Sequence, residues 1–452
     1  GSGAFNGQYL GNVQWSLAGS GPYYMANYFI ASAYTLMANP HYSQNPYCTW
    51  SGCPPAKNQY AGTIEVTWET SATPGEQAYR FGSADFASVP STDLGLLLQL
   101  IQQGKVNAIQ SPTLNIGFDA FNMLFNLAGA QRFTTNAITI PTDFFSYLGV
   151  REFFSRAYPY TTIQDTINTK DGIQLSFPEG GAIPQFMGNF YPSNIPWPSK
   201  DPCQDKTDPS CPAYWWSQMQ DPSSPYYDQE VTRCSAGNPC QLPLFGQTGN
   251  PTGDQINSIW SSELATLSGG ALKVSPVDLN FVDIVNAQSS VAGSNPLPLY
   301  GLGWAPDYPD PTDYVVPLYA SNSTYTAGDA VAQSLEQTQF AQGCAYGPKD
   351  FQHWSNVTAI PQSCQGVAYR ALNAALGTAA YEANLTKRIQ YYDQAEMIAY
   401  NLCLYLYSGQ GNAIPNFSSW VDINSVNTNV MTGGDATWYS LTGNGVQYSG
   451  ST

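Results

Sequence analysis

The sequence predicts an α/β fold, because strand-period and helix-period segments alternate along the chain and each helix carries its own stop signal. Thr63-Ile-Glu-Val-Thr-Trp-Glu69 sets apolar Ile64, Val66 and Trp68 between polar neighbours, the period of a half-buried strand. A helix is expected from Thr92 to Gln103, with Ser91 as N-cap, Leu94, Leu97, Leu98 and Ile101 on one face, and Gly104 as terminator. The same logic recurs further on. Ile256, Ile259, Trp260, Leu264 and Leu267 form a helical stripe, Gly269-Gly270 ends it, and Ala271 to Val274 opens a strand. Leu385 to Tyr407 reads as one long late helix, with Arg388, Tyr391, Tyr392 and Gln394 on its polar side. Between about 191 and 250 the chain is rich in Pro, Ser, Asp and Cys without periodicity, and a large loop insertion is expected there.

At 452 residues the chain is long enough for two or three domains. Only 10% of residues are charged, and 32 acids against 15 bases give a net charge of -17. That balance argues against nucleic acid, since a phosphate-binding surface needs clustered Lys and Arg. The surface must be polar without being ionic, which raises the expectation of an acidic external medium. Once the carboxylates are protonated there, the 15 Lys and Arg and 2 His would carry the chain toward about +17.

Nine cysteines fall as four close pairs, Cys48/Cys53, Cys203/Cys211, Cys234/Cys240 and Cys344/Cys364, plus a lone Cys403. Each pair lies in a Gly-, Pro- or Ser-rich loop, so local disulfides and an oxidising compartment are expected. Zinc or another metal is not: there is no C-x-x-C, and only His41 and His353 exist. Cys403 sits in an apolar run and reads as a buried free thiol. N-x-[ST] sequons at Asn322, Asn356, Asn384 and Asn416 are candidate glycosylation sites, although a chain this rich in Asn, Ser and Thr yields about that many by chance. The chain opens Gly-Ser-Gly without Met, a basic n-region or an apolar h-region, so a secretory leader is expected to have been removed or to lie outside it. No apolar run approaches the ~18 to 20 residues that span a bilayer.

The densest chemistry is Gly301-Leu-Gly-Trp-Ala-Pro-Asp-Tyr-Pro-Asp-Pro-Thr-Asp-Tyr314. Pro306, Pro309 and Pro311 fix φ and push their predecessors toward extended geometry, so Asp307, Asp310 and Asp313 are expected on display along a stiff loop beside Trp304 and Tyr308. Such a loop suits a cationic or hydroxyl-rich ligand. Read blandly, it is a surface turn with solvated carboxylates.

This run resembles the loop that crosses the ligand pocket in extracellular solute-binding proteins of the oligopeptide/dipeptide family, family 5, the receptors of ABC importers. Further elements follow in family order: Gly19-Ser-Gly-Pro-Tyr23, Ala38-Asn-Pro-His-Tyr42, Phe81-Gly-Ser-Ala-Asp85, Val150-Arg-Glu-Phe-Phe-Ser-Arg-Ala157 with Phe153 where Ala is usual, Ala182-Ile-Pro184, and Arg388 with Tyr392. The resemblance implies a two-lobed periplasmic-binding-protein-like architecture of type II, cluster C. It covers only the later part of a family member, so the amino-terminal segment is expected to be absent, cleaved off or carried on another polypeptide. Residues 1–115 would form part of lobe I, 116–418 the second lobe, and 419–452 a tail returning to lobe I. Trp304, Asp307 and Tyr308 are the expected ligand-binding residues in an inter-lobe cleft, with Asp307 holding a peptide ammonium or, with the aromatics, an oligosaccharide. Phe153, Phe154 and Tyr158 read as core, and Arg151 and Arg388 as helix-surface or ion-pair residues.

The implied partners are a peptide or oligosaccharide and an ABC permease, with no cofactor. The expected location is extracellular or at the cell surface, tethered to the membrane by a segment outside these residues. Two other classes compete. A structural surface-layer or filament protein on a receptor fold would explain the Tyr-rich, disulfide-pinned surface. A glycoside hydrolase would need two of Asp307, Asp310 and Asp313 as an acid and base pair about 5 to 10 Å apart. The chain has no G-x-S-x-G, H-E-x-x-H or P-loop, so a non-enzyme is expected.

Overall fold

The structure, a computed structural model, describes residues 23–29, 32–38, 63–67, 73–87, 89, 93–170, 172–192, 194–196, 201–288, 291–423 and 440–441. The chain divides into two compact units, residues 1–111 with 413–452 and residues 112–412. Ser91, Cys48, Cys53, His41 and most of the Gly19 to Tyr23 and Ala38 to Tyr42 elements lie outside the described residues.

The first unit contains a three-stranded antiparallel sheet, Tyr23–Phe29, Ala33–Ala38 and Thr63–Thr67, in that order. Ile64 and Val66 alternate with exposed neighbours, as the period of two requires. The Leu94–Gln102 helix buries Leu94, Leu97 and Leu100. Its N-cap is Asp93, which makes no side-chain capping bond. Gly104 ends it with φ +66°, and Lys105 N–H returns to Leu100 O at 3.0 Å. The tail re-enters this unit as Asn416–Ser418, antiparallel to Val106–Ala108. Asn416 is 4% exposed, its backbone oxygen accepts from Tyr79 Oη at 2.5 Å, and its amide donates to Ile414 O at 2.9 Å. This corrects the glycosylation expected at Asn416, since a glycan cannot be attached to a side chain packed inside the fold.

The second unit is built on a six-stranded sheet in the order 272–279, 240–247, 299–304, 111–121, 405–413, 176–177. Leu272–Leu279 and Cys240–Gln247 run parallel, whereas Leu299–Trp304 pairs antiparallel with the Ser111–Phe121 strand, from Leu299 opposite Phe121 to Trp304 opposite Ile116. The Pro251–Leu267 helix provides the crossover between the parallel pair. Asn250 caps it by accepting Gly253 N–H at 3.1 Å, Pro251 fits its first turn, and Gly269 and Gly270, both at positive φ, end it. Trp260 is fully buried on this helix and donates its indole N–H to Phe154 O at 3.1 Å. Phe153, Phe154 and Tyr158 lie in the core with it.

Three expectations fail here. The unperiodic stretch 191–250 is not all loop: it contains the Pro212–Gln220 helix and an inner strand of the sheet, Cys240–Gln247. A strand buried on both faces has no alternation to read. The long late helix stops at Asn401 rather than Tyr407, because the chain turns through Cys403 at φ +48° and leaves as the Tyr405–Ala413 strand. Arg151, expected on a helix surface or in an ion pair, is wholly buried at this turn. It donates to the oxygens of Leu402, Cys403 and Phe145 and to Gln365 Oε1.

Disulfides join Cys203 to Cys211, Cys234 to Cys240 and Cys344 to Cys364. Cys403 is a buried free thiol that burial pushes up to about 12. No helix among the described residues is long and apolar enough to cross a membrane.

Candidate functional site

Trp304 is the last residue of its strand, so the sheet fixes where its indole begins. The ring meets Tyr325 edge to face at 5.3 Å, and its Nε1 has no hydrogen-bond partner. Pro306 is buried and anchors the loop that follows, while Asp307 and Tyr308 are exposed, Tyr308 by 48%.

The three acids of this loop do three different things. Asp310 faces Arg388 across 78 residues of sequence, with Nη2 at 2.8 and 2.9 Å from its two oxygens. The same carboxylate accepts from Thr312 N–H at 2.9 Å and Thr312 Oγ1 at 2.6 Å, which starts the Thr312–Tyr319 helix. Partial burial works to raise its pKa, but these bonds from Thr312 and Arg388 outweigh it and hold the group below the ordinary carboxylate value. The Arg388 guanidinium also lies against two rings that meet each other edge to face, 5.4 Å from the Phe190 ring centre and 5.3 Å from that of Tyr392.

Asp313 corrects the expectation that all three acids are on display. It is 6% exposed in the first turn of the helix and reaches back to accept Asp307 N–H at 2.5 Å and Tyr308 N–H at 3.4 Å. Burial raises its pKa against those two bonds. Asp307 is left as the loop acid whose carboxylate makes no hydrogen bond or ion pair among the described residues, on a backbone that Asp313 holds. The glycosidase alternative needs two available carboxylates on this loop, and two of the three are engaged. Among the described residues no group of three or more His, Cys, Asp or Glu could hold a metal ion.

Sequence reasoning did not foresee the acids buried in this unit. Asp119 and Asp329 are each pushed up to about 7 by burial, and Glu396 to about 8. Asp329 accepts from Tyr300 Oη at 2.8 Å and Asn295 Nδ2 at 3.0 Å. The one available signal was an acid inside an apolar helical run, Ala395-Glu396-Met397-Ile398.

No family model and no curated protein sequence matches this chain. Solved structures do. The peptide-bound binding protein DppA of Helicobacter pylori superposes with TM-score 0.61 at 14% identity, covering 94% of this chain and 63% of that one. Its fold is that of the periplasmic peptide-binding proteins. The dipeptide-binding protein of Pseudoalteromonas sp. SM9913, complexed with Met-Leu, gives 0.60 at 15% identity, with 93% of this chain and 64% of that one covered. Haemophilus influenzae OppA with a bound nonapeptide gives 0.58 at 14%, covering 92% and 64%. The mixed α/β fold and the resemblance to peptide- and dipeptide-binding proteins are therefore shown at the level of the fold. The chain spans a little under two thirds of the length of these structures.

Proposed function

We propose that this chain is an extracellular receptor that captures a peptide and delivers it to an ABC permease, with Asp307 pairing the peptide's terminal ammonium. The observation that carries this reading is the division of labour on the 304–313 loop. Arg388 and Thr312 occupy Asp310, the backbone occupies Asp313, and Asp307 is held out uncommitted beside Trp304 and Tyr308. A charge-assisted bond from an ammonium to a carboxylate already positioned costs little ordering on binding. Trp304 and Tyr308 offer apolar surface next to it. Three disulfides support an oxidising, extracellular setting.

The test is a calorimetric and thermal-shift screen of short peptides against the wild-type protein and Asp307→Asn. Peptides with a free amino terminus should bind, and N-acetylated versions should bind at least ~30-fold more weakly, about 2 kcal/mol for a lost charge-assisted bond. Asp307→Asn should lose affinity for the free peptides while its melting temperature without ligand stays within a degree or so. Equal binding of acetylated and free peptides would remove the ammonium reading. Binding of oligosaccharides instead, with Trp304→Ala rather than Asp307→Asn abolishing it, would replace the peptide.

A further inference from the structure

In the second unit the segment Glu179-Gly-Gly-Ala-Ile-Pro184 turns between two carboxyl groups. Glu179 Oε1 accepts Gly180 N–H at 3.0 Å and Gly181 N–H at 3.4 Å. From the Leu385–Asn401 helix, Glu396 Oε2 accepts Ala182 N–H at 3.0 Å and Tyr319 Oη at 3.3 Å, and Tyr319 Oη lies 2.6 Å from Tyr407 Oη. Both acids are buried, Glu179 at 1% and Glu396 at 0% exposure. The approach is close enough that a Cβ on Gly181 would overlap Glu396 Oε2. Each carboxyl therefore spends one oxygen on the same turn. The other oxygens, Glu179 Oε2 and Glu396 Oε1, have no hydrogen-bond partner.

A second observation points at an exchangeable occupant. Glu179 and Gly180 line a pocket with Glu152, Arg156, Tyr405 and Tyr407, of about 30 Å³, enough for one or two waters. The Tyr405 hydroxyl, on a residue 6% exposed, also has no partner. Arg156 is the cation of this pocket, but its Nε is bonded to Glu152 at 2.8 Å, so it does not neutralise Glu179 by contact.

We propose that Glu179 and Glu396 form a proton-binding pair that clamps the 179–184 turn, and that the water-sized pocket floored by Glu179 is the route by which the proton exchanges with solvent. Two carboxylates so placed, each desolvated and each repelling the other, cannot both be ionised at modest cost. The first proton stays with the pair; the last leaves to water in the pocket as pH rises, and the second negative charge then loosens the turn.

The acids facing the pair act in the same direction: Glu396 repels Glu179 and Asp393 repels Glu396, while the Tyr319 hydroxyl bonded to Glu396 acts against them. Burial first, and then the two glutamates, raise Tyr407 and Tyr191. The backbone bonds at the turn oppose this but do not overcome burial, which leaves Glu179 well above its ordinary value and pushes Glu396 up to about 8. For folded pKa values raised in this way, the stabilisation is fully present in acid and is lost as pH climbs through the folded value. The pair titrates as a unit.

Amide hydrogen exchange tests this. In the wild-type protein, protection of the 179–184 peptide, corrected for intrinsic pH dependence, should fall about tenfold or more between about pH 6 and pH 9. The fall should be larger at that segment than over the rest of the unit, whose other buried acids also lose stabilisation as pH rises. In Glu179→Gln, Glu396→Gln and the double variant, protection should no longer depend on pH over that range. Flat protection in the wild type overturns the proposal whether or not the variants fold, as does a loss spread evenly over the whole unit. A double variant that keeps the wild-type slope overturns it as well.

Discussion

Arg151 is the perturbation whose size follows most directly from the contacts. Its guanidinium, fully buried, serves four acceptors: Leu402 O at 2.8 Å, Cys403 O at 3.1 Å, Phe145 O at 2.6 Å and Gln365 Oε1 at 2.6 Å. It thereby ties the Leu148–Arg156 helix to the turn where the long helix gives way to a strand, and to the start of the Gln365–Tyr381 helix. Arg151→Met keeps most of the volume and removes every donor. Leaving four buried oxygens without partners costs roughly 8 kcal/mol at about 2 each. Against this stands relief from burying a cation. Desolvation pushes Arg151 down from its ordinary 12.5 to about 10, which is worth roughly 3 kcal/mol. The expected net loss is about 5 kcal/mol, in line with other broken buried polar networks. Urea unfolding followed by tryptophan fluorescence measures it, since Trp215, Trp260 and Trp354 are all buried in this unit. A loss under about 1 kcal/mol would refute the reasoning and mean that the turn at Cys403 holds itself.

Three further outcomes are expected. The wild-type melting temperature should be highest in acid and fall as pH rises from about 4 to 7, because burial raises Asp228 and Asp393 to about 6 and Asp119 and Asp329 to about 7, and each gives stability present below the unfolded value and lost as pH climbs to the folded one; a maximum near pH 8 in a melting series would contradict it. Replacing Cys344 and Cys364 by Ala opens a loop of sequence separation 20 and should cost about 3 kcal/mol in denaturant unfolding, whereas a change under ~0.5 would mean the loop is ordered without its bridge. Gly366→Ala drives a Cβ into the backbone oxygen of Leu335 and should destabilise by ~2 kcal/mol or more by the same assay, with no loss if that backbone can yield.

How much of this was legible in the sequence depended on whether the information was local. The Pro251–Leu267 helix was readable because its stripe and its glycine stop lie within fifteen residues of one another. The Cys240–Gln247 strand was not, since burial on both faces removes the alternation that marks a strand and Pro243 argues against one. The end of the late helix was hidden for a related reason. Leu402-Cys-Leu-Tyr-Leu-Tyr407 is apolar at every position, so periods of 3.6 and 2 fit it equally. On the site loop, sequence marked Trp304, Asp307 and Tyr308 through a family resemblance, but not why Asp307 differs from its neighbours. That difference rests on Arg388, which is 78 residues from Asp310 in the chain, and on a backward reach by Asp313 that depends on the helix starting at Thr312.

The acids of this chain bound its stable range from both sides. Asp310, held below its ordinary value by Thr312 and Arg388 against partial burial, contributes stability that is present above the unfolded value and lost only as pH falls through its lowered one. The brace on the site loop thus persists into acid. The buried acids of the second unit have the opposite sign, and their contribution survives down to strong acid but fades through about 6 to 8. An excess of acids over bases, 32 against 15, would by itself destabilise a compact chain at neutral pH through repulsion, and proton uptake relieves it. Loop brace, interior and net charge are all favourable together only in mildly acidic medium.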